Sequence, residues 1–145
     1  MKRIDERTVE YSERELAAVD AYNARLDEGH SVPHAAYLAR QDHVGLSRAF
    51  WLNVVDYNPA WALGQVIAYW RSRSALTRKQ LAEATRLSYP YVSEIENGRK
   101  DATLATYTRI GEAIDRSLVQ LFDDAECLAL GDATFPQPRL WERSV

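Results

Sequence analysis

Basic side chains cluster around two short stretches in the second half of the chain, residues 77–86 and 88–100. Guanidinium and ammonium groups donate hydrogen bonds to phosphate oxygens, and such contacts orient a protein on a nucleic-acid backbone without reading its sequence. The side chains available for this role are Arg71, Arg73, Arg78, Lys79, Arg86, Arg99 and Lys100. Thr77 and Ser88 stand at the start of the two stretches, where the main-chain N–H groups of a helix N-terminus would add further donors. These residues predict an anionic partner.

The charge distribution along the chain supports the same interpretation. The whole chain of 145 residues has a net charge of −3, yet residues 66–122 hold nine basic and six acidic residues, a net charge of +3. The flanking segments, 1–65 and 123–145, each have a net charge of −3. A mildly basic segment between acidic flanks indicates that the anion binds in the middle. Arg109 and Arg116, on later predicted helices, are interpreted as part of a solvated helix face.

Composition excludes several classes of protein. With 46% hydrophobic and 27% charged residues, the chain is typical of a folded protein rather than a disordered one. The scarcity of glycine and proline argues against a turn-dense all-β fold, and a single cysteine excludes an internal disulfide framework. No apolar stretch is long enough for a bilayer, and the charged N-terminus lacks the apolar core of a signal peptide. We therefore expect a cytoplasmic protein that makes no membrane contact.

Capping residues predict where the helices begin. Ser12 and Glu15 form a capping-box pattern for a helix that ends at Gly29. A second, shorter helix is predicted to start at Ser31, and a third apolar run covers residues 46–57. Asn58-Pro59 marks the next boundary, because asparagine caps helices and proline suits the first helical position. Further helices are predicted over residues 59–73, 77–84, 88–97, 103–114 and 117–122, after which the pattern becomes irregular.

Two of these helices have the spacing of a DNA-binding helix-turn-helix unit, in which two short helices are joined by three or four residues. Leu81 and Ala82 of the first helix are predicted to pack on Val92 and Ile95 of the second. Helical periodicity then directs Tyr89, Pro90, Ser93 and Glu94 outwards. The outward face would meet the bases, and the basic residues around it would meet the phosphates.

The segment from Leu81-Ala82-Glu83 to Tyr91-Val92-Ser93-Glu94-Ile95-Glu96-Asn97-Gly98-Arg99-Lys100 resembles the phage-repressor (Xre/Cro-type) helix-turn-helix family, in a match that extends from Leu63 to Phe122. The resemblance implies a structural ion pair between Arg71 and Glu96. It also implies that phosphates are approached by Thr77, Arg78, Asn97, Arg99 and Lys100, and base edges by Tyr89, Pro90, Ser93 and Glu94. Lys79, Arg86, Ser88 and Tyr91 complete the predicted DNA-binding set.

Three positions depart from the family pattern. Arg86 replaces the usual glycine of the turn, so a residue with a side chain is expected to adopt a left-handed conformation at a cost of about 1 kcal/mol. Asp115 replaces a second glycine, and Ala102 replaces a proline. The outward face has no Arg, Asn or Gln for bidentate base contacts, which leaves Glu94 to accept from cytosine N4 and Tyr89 or Tyr91 to meet a thymine methyl group or a phosphate.

We therefore predict an all-α protein with three parts. Residues 58–122 form a five-helix repressor-type helix-turn-helix domain. Residues 1–57 form an N-terminal helical extension for dimerisation or partner binding, and residues 123–145 form a mostly irregular acidic tail. The apolar residues Phe50, Trp51, Val54 and Val55 of the extension, rather than Leu140 and Trp141 of the tail, are predicted to form a homodimer interface.

The predicted function is sequence-specific binding of double-stranded DNA and regulation of transcription, as a repressor that occludes promoter DNA. Two alternatives remain open. Residues 21–29, 56–59 and 89–96 resemble antitoxins of toxin–antitoxin pairs with this type of DNA-binding domain, which implies a toxin protein as partner. The other alternative is a protein-interaction module that uses the helix-turn-helix fold without DNA.

No catalytic or cofactor site is predicted. His30 and His34 have the spacing of metal ligands on a helix, but Pro33 stands between them and no HExxH pattern or nearby cysteine completes a site. Asp42-His43 has no matching nucleophile, and no glycine-rich phosphate loop is present. The expectation is a protein without enzymatic activity, metal or cofactor.

Overall fold

The computed structural model describes residues 10–132, and the regular elements in this part of the chain are eight α-helices. They are α1 (Glu13–Asp27), α2 (Val32–Asp42), α3 (Arg48–Val54), α4 (Pro59–Arg73), α5 (Arg78–Thr85), α6 (Tyr89–Glu96), α7 (Leu104–Ala113) and α8 (Leu118–Ala129). The predicted all-α class is confirmed. No helix among the described residues has both the length and the apolar character needed to cross a membrane.

The described chain divides into two compact units. The first contains residues 10–57 together with 127–132, and the second contains residues 58–126. Most helices begin at a side chain that accepts a hydrogen bond from the main chain three residues later, as short polar caps do. Ser12 and Glu15 form the predicted capping box of α1, with the Ser12 amide 2.9 Å from a Glu15 carboxylate oxygen.

The first unit has its own apolar core. Trp51 is 1% exposed, and the same cluster contains Tyr22 of α1, Ala36 of α2 and Leu130. The dimer interface predicted on the extension is wrong for Trp51, Val54 and Val55, because these side chains are buried against α1 and α2 rather than free for a second copy. The other candidate surface, Leu140 and Trp141, lies outside the described residues.

Helix α8 corrects the predicted irregular tail, since it continues seven residues past Phe122 to Ala129. Leu121, Ala125 and Leu128 are fully buried at the spacing of one helix face. Asp124, which the sequence placed in the irregular acidic tail, accepts hydrogen bonds from Trp70 Nε1 at 2.8 Å and from Arg116 Nη2 at 2.7 Å. The remainder of the predicted tail, residues 133–145, lies outside the description.

Helix α4 is the centre of the second unit. Asn58 caps it by accepting from the Trp61 amide at 3.2 Å, and Pro59 occupies the first helical position, as predicted. Leu63 and Ile67 are buried on its inner face. Gly64 lies so close to the end of α6 that a Cβ atom there would stand 2.5 Å from a carbonyl oxygen of the α6 backbone. The two helices therefore pack backbone to backbone.

Candidate nucleic-acid interface

Two capped helix starts define one end of the α5–α6 pair. Thr77 Oγ1 accepts from the Gln80 amide at 3.1 Å, and the Thr77 amide donates to Gln80 Oε1 at 2.8 Å, which makes a second capping box. Ser88 caps α6 by accepting from the Tyr91 amide at 3.2 Å. The positive end of each helix dipole is therefore held in a defined orientation, as anion binding at a helix start requires.

The turn between α5 and α6 is built on a left-handed residue. Arg86 has φ 58° and ψ 34°, which confirms the conformation expected where the family pattern has glycine. The Leu87 amide donates to the Ala82 carbonyl oxygen at 3.0 Å, which closes the end of α5. Arg109 Nη1 donates to the Thr85 carbonyl oxygen at 2.9 Å, so Arg109 caps α5 instead of belonging to a solvated face. Its position in α7, far along the chain, left no local sequence signal for this role.

The inner face of the pair is apolar and its outer face is polar. Leu81, Ala82, Val92 and Ile95 are all buried, which is the packing predicted from their spacing. On the other side of α6, Tyr89 is 50% exposed. Pro90 is also exposed, while Tyr91, Ser93 and Glu94 are partly exposed. The outer face thus presents an aromatic ring, a hydroxyl group and a carboxylate.

A buried carboxylate joins three helices of the second unit. Glu96, at the end of α6, has a side chain that is only 1% exposed. Arg71 of α4 donates from Nε to Glu96 Oε2 at 2.7 Å and from Nη2 to Glu96 Oε1 at 3.1 Å. Its third nitrogen, Nη1, donates to the Leu76 carbonyl oxygen at 2.9 Å. The fork of Arg71 is therefore fully used inside the protein, which fixes the end of α6 against α4.

Arg78 shares the same carboxylate. Its Nε atom donates to Glu96 Oε1 at 2.9 Å, and its side chain is 35% exposed. The hydrogen bond to Glu96 is the main cause that holds the pKa of Arg78 above its usual value. The resemblance implies that Arg78 contacts a phosphate; in the structure Arg78 is paired with Glu96 within the protein.

The remaining predicted contacts lie around the outer face. Lys79, Arg86 and Arg99 are exposed. Lys100 Nζ lies 3.5 Å from Glu94 Oε2, so an ammonium group accompanies the carboxylate of the outer face. Asn97 is exposed, and its Nδ2 donates to Ser93 Oγ at 3.4 Å. The structure thus brings the predicted set together around α6, with several members already paired with each other.

Arg116 also differs from the expectation of a solvated face. Besides its hydrogen bond to Asp124, its guanidinium lies 4.3 Å from the centre of the Trp70 ring.

In the first unit, the rings of His30 and His34 meet edge to face, 4.9 Å apart. Within residues 10–132 no three His, Cys, Asp or Glu side chains are grouped as a metal ion would require.

Comparison with known proteins agrees with this geometry. Residues 62–121 match the family model described as a helix-turn-helix domain. This segment, which covers α5, α6 and the helices packed around them, is therefore a helix-turn-helix domain. One similar solved structure is the clp gene regulator ClgR from Corynebacterium glutamicum, with 30% identity over 59% of this chain and 93% of that chain and a TM-score of 0.49. No curated protein matches the chain.

Proposed function

We propose that the protein binds double-stranded DNA through α5 and α6 and regulates transcription, as a repressor that occludes promoter DNA. The observation that carries this proposal is the outer face of α6, which is exposed at Tyr89 and Pro90. The end of the same helix is fixed to α4 by the ion pair between Glu96 and Arg71. A helix held in this way can enter a major groove as a rigid body, with its first residues towards the base edges.

The charges around α6 suit a phosphate backbone on either side of the groove. We assign phosphate contacts to the exposed cations Lys79, Arg86, Arg99 and Lys100, helped by the capped helix starts at Thr77 and Ser88 and by Asn97. We assign base contacts to Tyr89, Pro90, Ser93 and Glu94, with Tyr91 at the edge of the same face. A carboxylate on the face favours cytosine, whose N4 amino group is a donor in the major groove.

A dimer would complete the recognition. One helix-turn-helix reads only a few base pairs, which is rarely enough against the competing sites of a genome. We therefore propose a two-fold homodimer whose half-sites lie about 34–36 Å apart, one turn of the DNA helix. Because Trp51 and Val54 are buried in the first unit, the dimer interface must be formed by other residues. Sedimentation of the full chain, free and on DNA, tests this assembly, and a monomer in both states would contradict it.

The DNA-binding proposal is tested by selecting bound duplexes from a random pool at stated salt concentrations. The wild type is expected to enrich a defined motif with inverted symmetry. Arg99→Ala should weaken binding to all duplexes about equally and reduce the slope of log K against log salt by about one. Arg25→Ala is the matched control, because Arg25 lies in the first unit beside Glu28 and Asp42. Binding that is absent or insensitive to salt would overturn the proposal and favour a protein-interaction module.

A further inference from the structure

The Glu96 carboxylate holds two arginines that differ in exposure, since the side chain of Arg71 is 16% exposed and that of Arg78 is 35% exposed. On the basis of the proposed DNA binding, we propose that Glu96 is a positioning residue for a backbone phosphate. It holds the Nε atom of Arg78, and the two terminal nitrogens of the same guanidinium bind one phosphate of double-stranded DNA as a fixed fork. Glu96 itself, with a side chain only 1% exposed, does not touch the DNA.

Glu96 offers Arg78 an acceptor whose position is set by the interior of the second unit. Both carboxylate oxygens accept from Arg71, Oε2 from Nε at 2.7 Å and Oε1 from Nη2 at 3.1 Å. Arg71 is fixed in turn, because its Nη1 atom donates to the Leu76 carbonyl oxygen at 2.9 Å. A bidentate pair of this kind defines the plane of the carboxylate as well as its place.

The contact between Arg78 and Glu96 is made through Nε and not through the two terminal nitrogens. Arg78 Nε lies 2.9 Å from Glu96 Oε1. Because Nε belongs to the planar guanidinium, a hydrogen bond at this atom restrains the plane of the whole group. The N–H groups of Nη1 and Nη2, at the far end, have the fork geometry that matches two phosphate oxygens. The side chain is partly exposed, so a phosphate can reach it from outside the protein.

The start of α5 suits an anion at this place. Arg78 is its first residue and Thr77 caps it, so the positive end of the helix dipole lies beside Arg78. Lys100 shows the contrast with a cation that lacks a buried anchor, because it pairs across 3.5 Å with Glu94 and the two side chains are 57% and 41% exposed. A guanidinium that is already held by a buried carboxylate loses less conformational freedom when it binds a phosphate. We therefore expect Arg78 to contribute more to DNA affinity than an unanchored cation of equal charge.

Charge and positioning predict opposite effects for Glu96→Gln. The substitution removes one negative charge from the DNA-binding unit, so electrostatic attraction alone would tighten binding to a polyanion. The NH2 group of glutamine faces an arginine donor in either orientation, and its neutral oxygen is a weaker acceptor than a carboxylate. A positioning role therefore predicts weaker binding. Arg78→Lys gives the complementary test, because it keeps the charge and loses the planar fork.

The experiment titrates a duplex from the random-pool selection with the wild type, Glu96→Gln, Arg78→Lys and the control Arg116→Lys. We expect Glu96→Gln and Arg78→Lys each to weaken binding about tenfold, the size of one hydrogen-bonded contact with a charged group. Arg116→Lys alters another arginine–carboxylate pair of the same unit, that with Asp124, and should keep the wild-type affinity because this pair lies outside the predicted DNA-binding set. Binding by Glu96→Gln or Arg78→Lys that equals or exceeds that of the wild type would overturn the inference.

Circular dichroism of each variant under the assay conditions ensures that folded proteins are compared. An equal loss of affinity in Arg116→Lys would assign the weaker binding to general destabilisation of the second unit and would overturn the inference. Where Glu96→Gln is unfolded at the assay temperature, Arg78→Lys alone decides the outcome.

Neutral phosphates separate the positioning role from a purely structural one. In a series of duplexes, each phosphate of one half-site is replaced in turn by a methylphosphonate, which has no charge. We expect one position at which this replacement weakens wild-type binding about tenfold but weakens Glu96→Gln and Arg78→Lys little further, because these variants already lack the contact. Losses that add at every position would refute the role of Glu96 and leave DNA binding standing. If the wild type binds no duplex, the proposed function fails, and the inference fails with it.

Discussion

Arg71 and Glu96 are 25 positions apart in the sequence and are joined by two hydrogen bonds of 2.7 and 3.1 Å. The contact couples the central helix of the second unit to the last residue of the helix that presents the outer face. Because the Glu96 side chain is 1% exposed and that of Arg71 is 16% exposed, water does not replace either partner when the other is removed. One carboxylate therefore ties the end of α6 to α4.

Removal of the Glu96 carboxylate should destabilise the folded protein. We expect Glu96→Ala to lower the free energy of unfolding by about 3 kcal/mol, because it leaves two guanidinium groups without their buried counter-charge. The matched control is Glu94→Ala, which removes a carboxylate from the same helix but from an exposed pair with Lys100, and should cost less than about 1 kcal/mol. Urea unfolding of both variants measures the difference. Equal decreases in the free energy of unfolding would contradict the claim that burial makes the Glu96 carboxylate more important for stability than the exposed Glu94 carboxylate.

Gly64 should tolerate no side chain. A Cβ atom at this position would stand 2.5 Å from the Ile95 carbonyl oxygen and 2.6 Å from that of Glu96, both of them backbone atoms that cannot rotate away. Gly64→Ala should therefore lower the free energy of unfolding by about 2 kcal/mol, as overpacking does. In Gly29→Ala the added Cβ would meet no atom within 4 Å, and only the strain of φ +98° remains, about 1 kcal/mol. If chemical denaturation ranks the two variants in the opposite order, the close approach of α4 and α6 is contradicted.

Arg86 offers a substitution that separates stability from binding. Its φ of 58° is strained for any residue with a Cβ atom, so Arg86→Gly should raise the free energy of unfolding by about 0.5–1 kcal/mol. The same substitution removes an exposed cation, so DNA affinity should fall. Arg86→Ala, which keeps the strain and removes the same charge, should weaken binding without stabilising the fold. Melting temperatures and binding titrations of the two variants check both effects, and a glycine variant less stable than the alanine variant would argue against strain at the turn.

The first unit should lose stability in strongly alkaline solution. Burial of the Tyr22 side chain raises its pKa to about 12, with the charge of Asp56 as a second cause. Because this folded-state pKa lies above the ordinary tyrosine value of 10.0, the stabilising contribution is complete below pH 10 and is lost as the pH rises towards 12. The expected loss is about 2 kcal/mol.

Tyr22→Phe provides the control for this alkaline transition. The variant lacks the ionisable hydroxyl, so the corresponding decrease in stability between pH 10 and 12 should disappear. Tyrosinate absorbance and circular dichroism, recorded together during an alkaline titration, follow ionisation and unfolding. If the alkaline transition of Tyr22→Phe is unchanged, ionisation of Tyr22 is not its cause.

Local chemistry made much of the fold predictable. Ser12, Thr77 and Ser88 each precede a helix and cap it, and such caps act within three residues, so a short window of sequence contains them. The left-handed conformation of Arg86 followed instead from the family resemblance, because the family pattern has glycine at this position of the turn. Boundaries set by caps and turns were therefore found correctly.

Long-range packing explains what was missed. Trp51 and Val54 form an apolar stripe whose partner surface is on α1 and α2, and periodicity alone does not distinguish a core stripe from an interface. The extension of α8 had a readable signal, the spacing of Leu121, Ala125 and Leu128, which the neighbouring acidic residues obscured. The hydrogen bonds of Arg78 and Arg109 depend on the placement of other helices, and no local pattern contains that information.

The most direct test of the central claim, that α5 and α6 bind DNA sequence-specifically, is the ratio of dissociation constants for a selected duplex and a scrambled duplex of equal length at physiological salt. The account predicts that the wild type prefers the selected duplex by about a thousandfold or more. Glu94→Ala is expected to reduce this ratio, whereas Arg99→Ala weakens binding to both duplexes and leaves the ratio unchanged. A wild-type ratio near one, or a ratio that Arg99→Ala alters and Glu94→Ala does not, would contradict the account.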